Sequence, residues 1–534
     1  MTNSIFHLLN ITVFDLVKQM RWSYLPPLMI YLAAGISGVT AIVGTFFIKD
    51  FLDLSASFLA GLSFWVGIPW ALKMPLGHLV DIIWKHKNYL VFCGAAIIVL
   101  SLLIMYGLII HTQQMTQILN VETWYIISIL LAPIGYVIQD VVADAMTVEA
   151  IPKRNINGEK FNAIEIKNMH TTMQTLGRFA IIGGTVMVSI GNVILFNGAD
   201  SLDPDAKVQL SGSVYLYALV IPTVSVAGVL LASFLKHKQS KKWRDYEVHV
   251  STVHETKINW TLLIGSFIFV IFTVTIGSLQ IPYAQELVFL GSMTIVCFLM
   301  TKLIKHLPEK TRHTIVGTAV MIFIFRAMPT IGPGITWFEI DELKFNEAFL
   351  SILSLITAVL TLVGIIILRP LIARNSISTI IIGLSIASGV LLVPSIGMYY
   401  GLHNWTSALT GNIVDAKFIA ILNTAIESPL GQISMIPMLA WIANSAPSHL
   451  KATFFAVFAS FTNLALSASA LGTKYLNEIF VITREVKNKG TNETVTTADY
   501  SELGLLMITV AFLIITLPVL GVLLINNTKF RNKD

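Results

Sequence analysis

Six residues stand where an apolar environment would need a reason for them: Asp140, Asp144, Arg178, Arg326, Glu427 and Gln432. Each falls inside a long run of hydrophobic residues. An ionised side chain at the centre of a bilayer costs about 2.5–3.5 kcal/mol, so such groups face a protein interior or a water-filled cavity and mark solute or proton paths. Asp140 and Asp144 are one helical turn apart and share a face. At 1.5 Å of rise per residue, Asp140 and Arg178 each lie about 15 Å from the cytoplasmic ends of consecutive antiparallel helices. Opposite charges at one depth are expected to meet. Arg326 and Glu427 form a second set, each near the middle of its segment, with Pro429, Gly431 and Gln432 beside Glu427. A carboxylate so placed can accept hydrogen bonds from a solute or carry a coupling proton, and an arginine fork can pair with an anion. The plainer alternative is that these are ion pairs holding helices together. Two sets at similar depth in corresponding helices are more than structural pairing requires.

The segments that carry these residues are those of an all-α integral membrane protein. Of 534 residues, 55% are hydrophobic and 12% charged, and the mean hydropathy is +0.75. A soluble domain carries about 25% charged residues. A bilayer core needs about 20 apolar residues per helix. That rule gives six spans in the first half, near 27–48, 58–80, 89–110, 123–149, 168–195 and 213–235. Eight follow, near 260–278, 284–304, 314–338, 345–368, 376–398, 412–442, 452–475 and 503–525. The expected architecture is therefore about 14 transmembrane helices: a six-helix bundle in 1–235, a linker and inserted helix pair in 236–313, and a second six-helix bundle in 314–534. If the inserted pair is ignored, Glu427 sits on the fourth helix of its half, as Asp140 and Asp144 do in theirs. Parallel repeats with a site near the midplane are how major-facilitator transporters are built.

Lys and Arg set the orientation. With the N-terminus inside, cytoplasmic segments hold 24 of them and outside loops 7, while Lys73, Arg178, Arg326 and Lys417 lie within spans. Positive residues gather on the cytoplasmic side, so both termini are expected there. The net charge of +5 follows from the same rule and does not point to nucleic acid. Cys93 and Cys297 fit no metal spacing and are expected to be inert core residues. The first apolar run lacks a small-residue cleavage site, so no cleaved signal peptide is expected. Residues 5–21 have the spacing of a helix lying on the inner face, and the loop 483–502 is expected to be polar and mobile. No phosphate loop, nucleophile elbow or HExxH zinc motif occurs, so neither an enzyme nor a metal or cofactor site is expected, and energy must come from a gradient. Short loops suit a bacterial inner membrane better than a eukaryotic one. Asn404-Trp405-Thr406 and Asn492-Glu493-Thr494 would be glycosylation sequons in the latter.

Breaks in the helices fit a moving machine. In IGPGITW, from Ile331 to Trp337, Pro333 removes a backbone hydrogen bond and Gly332 and Gly334 let the helix bend. Pro429 stands beside Glu427 and Pro133 above Asp140. PLGHLVD, Pro75 to Asp81, resembles a divergent form of the motif that joins the second and third helices of major-facilitator proteins. That likeness implies a cytoplasmic latch using Lys73 and Asp81, with His78 and Trp84 departing from the usual pattern.

DVVADAMTVEA (Asp140 to Ala150) resembles the signature helix of the folate–biopterin transporter family, a branch of the major facilitator superfamily. AAGISGVTAIVGTFFIKDFLDLSASF (Ala33 to Phe58) and GIPWALKMPLGHLVD (Gly67 to Asp81) are similar to its first two helices. MIFIFRAMPTIGPGITWFEIDELKF (Met321 to Phe345) resembles the helix that opens its second half. ESPLGQISMIPMLAWIANSAP (Glu427 to Pro447) and ATFFAVFASFTNLA (Ala452 to Ala465) resemble its late helices. The resemblance implies secondary active transport of folate, pterin or a related organic anion, coupled to an ion or proton. Arg326 departs from the family pattern, where a neutral polar residue is common, and implies a more anionic cargo. Alternatives are another small solute, such as a siderophore, amino acid or nucleoside, or a membrane receptor or scaffold without flux.

Overall fold

With no hydrophobic force between helices in lipid, contact has to come from close backbone approach and from polar bonds between segments. Both are visible in the computed structural model, which describes residues 19–52, 54–71, 73–83, 86–151, 161–243, 260–278, 281–305, 307–431, 451–487 and 494–530. The N-terminal stretch and most of the central linker lie outside the described residues, as does Gln432. Apart from one short hairpin the described residues are helical, and the fold is of the major-facilitator type. Among the described residues, nine segments are long and apolar enough to cross a membrane, with shorter apolar helices at Ala56–Ala71 and Phe267–Gly277.

The chain divides into two compact units. The first comprises Met1–Thr40, Pro75–Gly191 and Asp203–Ile264, and the second Ala41–Met74, Asn192–Leu202 and Gly265–Asp534. In the first unit, α1 (Leu25–Ile36) packs with α6 (Val121–Glu149) and α9 (Val220–Trp243). α5 (Asn88–Ile110) packs on α6, and α7 (Ala163–Phe196) and α8 (Pro204–Tyr217) complete the unit. Asn120 starts α6 by accepting a hydrogen bond from the Thr123 amide at 2.9 Å, satisfying one orphan donor of the first turn. α5 and α6 touch at Gly94 and Gly135, where a Cβ on either would lie 2.7 Å from the other's carbonyl oxygen. The sixth span, expected as one helix over 213–235, begins earlier and is divided between α8 and α9.

The second unit holds α2 (Ala41–Phe51) and α3 (Ala56–Ala71), and continues from α10 (Trp260–Ser278) and α11 (Ala284–Ile304), the helix pair expected at 260–304. α11 packs on α19 (Lys451–Ile479) and α3. Glu286 of α11 pairs with Lys474 at 3.1 Å and accepts from Tyr475, while Gln285 donates to the Gly61 carbonyl at 2.9 Å. The remaining helices are α12 (Glu309–Arg326), α13 (Gly334–Asp341), α14 (Glu347–Arg374), α15 (Ile377–Leu391), α16 (Val393–Tyr399), α17 (Leu402–Thr410), α18 (Ala416–Gly431) and α20 (Leu503–Asn526).

Three expectations change. The span 314–338 is not a bent helix but two, because α12 stops at Arg326 and α13 starts only at Gly334. Pro329 and Pro333 are four residues apart, so two successive turns each lack a backbone donor. The loop 483–502 is tied down at both ends: β1 (Val486–Lys487) pairs antiparallel with β2 (Thr494–Thr496), and Thr483 bridges Asp499. Cys93 and Cys297 are exposed on helix surfaces rather than in a core. An apolar run does not reveal which face meets lipid, since lipid is as apolar as the interior.

Candidate functional site

Each unit gathers its own set of candidate residues. In the first, α6 is fixed against two neighbours by Gln139, which donates to the Val91 carbonyl at 3.2 Å and accepts from the Ser225 hydroxyl at 2.9 Å. That buried amide sets the rotation of the helix on which Asp140 and Asp144 sit. Asp144 then accepts a hydrogen bond from the Tyr31 phenol of α1 at 2.6 Å. Tyr31 is buried and its ring packs against Gly177 of α7, where a Cβ would come within 2.9 Å of Cδ2 and Cε2. Asp140, Asp144 and Arg178 all act on that phenol electrostatically. Asp144 is thus held by a tyrosine that sequence reading did not single out. A lone tyrosine in an apolar helix carries no signal to separate it from ordinary membrane aromatics.

Lys73 opens α4 (Lys73–Ile82) and is half-buried; the side chain of Asp81 lies outside the described residues. Just past α4, Lys87 is buried and pairs with Glu149 at the end of α6, Nζ to Oε2 2.8 Å. Burial lowers the Lys87 pKa below the ordinary lysine value, with Glu149 pulling the other way.

In the second unit, Arg326 is the last residue of α12, where the helix dipole favours a cation. The unwound stretch from Ala327 to Pro333 leaves backbone groups that must find partners outside the helices. α19 supplies them from one face at four-residue spacing. Ser469 donates to the Met328 carbonyl at 2.6 Å, Thr473 accepts from the Thr330 amide at 2.9 Å, and Asn477 donates to the Ile331 carbonyl at 3.1 Å. Gly332 holds φ +85° against the Asn477 amide. Ser-x-x-x-Thr-x-x-x-Asn in an apolar helix was a readable signal for such a clamp. Glu427 is exposed on α18, whose Leu430 shares a small cluster with Leu384 and with Phe325, the neighbour of Arg326. Thr361 of α14 donates to the Ser428 carbonyl beside it at 3.1 Å. Among the described residues no group of His, Cys, Asp and Glu is arranged to hold a metal ion.

Among the described residues, nine helices long and apolar enough to cross a membrane make this a multi-pass membrane protein, and its fold is of the major-facilitator type. Solved structures share that fold. A POT family transporter in complex with a thioalcohol-conjugated peptide superposes with TM-score 0.60 at 12% identity, covering 96% of each chain. A variant of the nucleoside transporter NupG gives 0.54 at 12% identity, over 94% of this chain and 99% of that one. Residues 209–534 match the BT1 family, and the chain belongs to it. A folate-biopterin transporter from Synechocystis is 22% identical over 449 residues, 83% of this chain and 72% of that one. That relative is named as a transporter.

Proposed function

We propose that the protein moves folate, a pterin or a related organic anion across the membrane by alternating access, driven by an ion or proton gradient. The observation that carries this reading is the position of Arg326, a cation at the last residue of a helix that breaks before α13 begins. A guanidinium fork there matches the carboxylates of a folate glutamate tail. A carboxylate, Glu427 or Asp140, is suited to accept hydrogen bonds from the amino-pyrimidine edge of a pterin. Gln432, five residues after Glu427, is assigned as a further polar contact. Asp144, which accepts a hydrogen bond from Tyr31, is the residue assigned to carry the coupling proton. Lys73 and Asp81 are assigned to the cytoplasmic latch, where Lys87 and Glu149 supply a second basic–acidic pair.

The membrane assigned is a bacterial inner membrane, with both termini in the cytoplasm, as the distribution of Lys and Arg supports. The name of the Synechocystis relative supports the cargo class. The test is uptake of tritiated folate and of labelled biopterin by cells expressing the chain, with and without a protonophore. Uptake abolished by the protonophore is expected. Uptake that survives it removes the proton, and absence of uptake of either compound removes the cargo class.

A further inference from the structure

Between α16 and α18 the second unit carries a nine-residue helix, α17, whose sides differ in character. Left-handed residues turn it off the line of its neighbours. Gly401 has φ +85° before it, and Gly411 and Asn412 have φ +62° and +66° after it. The Gly411 and Asn412 amides both donate to the Ser407 carbonyl, as at other helix stops closed by a left-handed glycine. At 3.6 residues per turn the side chains fall into three groups. His403, Thr406 and Ser407 are half-buried on the side toward the protein, where the Thr406 hydroxyl donates to the Val414 carbonyl at 2.7 Å. Asn404 and Ala408 form a second, open side without large apolar groups. Leu402, Trp405 and Leu409 form the third, which is open and apolar. Trp405 is 64% exposed, Leu409 66%, and Ile413 just past the helix 70%.

A contiguous exposed apolar side marks an interaction surface, and the flanking elements say what covers this one. The membrane-crossing segment Ile377–Tyr399 ends three residues before α17 starts, so the short helix begins where the hydrocarbon core ends. Its apolar side continues the lipid-facing rows of that unit, with Val390 and Val393 before it and Phe418, Leu422 and Ile426 of α18 after it. Trp405 and the exposed Tyr400 are the residue types that gather where hydrocarbon meets headgroups. No Lys, Arg, Asp or Glu occurs in residues 375–414, so charge offers nothing to a protein or an anionic lipid. We propose that α17 lies in the headgroup layer of the bilayer, with Leu402, Trp405, Leu409 and Ile413 inserted and Asn404 and Ala408 facing water. Helices of this kind sink their apolar side about 5–10 Å into the boundary between headgroups and acyl chains. The anchor passes to the next span. Thr410 accepts from the Val414 amide at 2.9 Å and Asp415 from the Phe418 amide at 2.8 Å. The start of α18, the helix of Glu427, is thereby tied to the level of the membrane surface.

Spin labelling of the full chain in phosphatidylcholine liposomes tests it, with Cys93 and Cys297 changed to Ser. Asn404→Cys, Trp405→Cys and Leu409→Cys are labelled one at a time. Each label's collisions with oxygen, which partitions into lipid, and with a water-soluble nickel chelate are then compared. The oxygen-to-nickel ratio should be severalfold higher at Trp405→Cys and Leu409→Cys than at Asn404→Cys. Leu409→Cys keeps the tryptophan, so the result does not depend on a variant that gives up the largest anchor. Equal nickel access at all three positions puts the helix in water and overturns the proposal. Low access to both reagents at Trp405→Cys and Leu409→Cys means that a second copy or another protein covers that side, and overturns it too. The contrast should be the same when phosphatidylglycerol is added, and a contrast found only with that lipid would overturn insertion by apolar residues. No arm needs a cargo, so failure to take up folate leaves this result untouched.

Discussion

Arg326 offers two parallel donors on a planar fork, and a carboxylate engages both only if the fork is kept. Arg326→Lys retains the charge but loses the bidentate geometry, so affinity for a carboxylate cargo should fall about tenfold while the protein folds normally. Arg326→Ala should abolish uptake. Binding and uptake of folate at matched membrane abundance decide between them, and a wild-type rate in Arg326→Lys would exclude a two-pronged contact. Arg178 is exposed, so Arg178→Gln should leave the unfolding midpoint close to wild type and lower uptake. Tyr31→Phe should do more to stability, because a buried phenol loses its bond to Asp144 and a carboxylate loses a donor, about 1.5–3 kcal/mol. A midpoint unchanged in detergent would show that the bond is replaced by water. Lys87 makes a pH prediction. Its folded pKa lies below the ordinary lysine value of 10.5, so between the two the unfolded chain binds more protons and stability rises with pH. That contribution is lost as pH falls below the window. Lys87→Met should flatten the alkaline limb of the unfolding midpoint against pH, and an unaltered limb would assign it to another group.

The helices show which parts of the fold a sequence can disclose. A span must be about 20 residues long and apolar, so α5, α6, α10, α11 and α20 fall within two residues of their expected ends. The break after Arg326 was signalled by Gly332, Pro333 and Gly334, yet it begins at Ala327, because Pro329 adds a second missing donor and α19 stands ready to take over the bonds. That partnership is tertiary, and no local pattern contains it. The charged positions on α6 and α7 were legible because charge is conspicuous in an apolar run. Tyr31 was not, hidden among aromatics. Gly332 tests the break directly. Its φ of +85° and the Asn477 amide 2.9 Å from a built Cβ both oppose any side chain, and left-handed backbone alone costs roughly 1–3 kcal/mol. Gly332→Ala should lower the unfolding midpoint, and adding Asn477→Ala should recover the steric part only. Full recovery would mean that backbone strain contributes nothing.

Across the whole molecule, topology is the quantity most open to measurement. Reporter tags at residue 240 and at the C-terminus should read cytoplasm, and one at residue 490 the opposite side. Tags at 240 and the C-terminus falling on different sides would refute an even number of crossings between them. The α10–α11 pair also carries a consequence for how the chain is made. Glu286 meets Lys474 only across 188 residues of sequence. At 5–20 residues per second the ribosome takes about 10–40 s to deliver that lysine. Until then the hairpin is in the membrane with a carboxylate whose partners, Lys474 and Tyr475, do not yet exist. Membrane quality control therefore has a defined interval in which this protein is vulnerable, and nascent chains stalled before residue 474 should be degraded faster than chains stalled just after it.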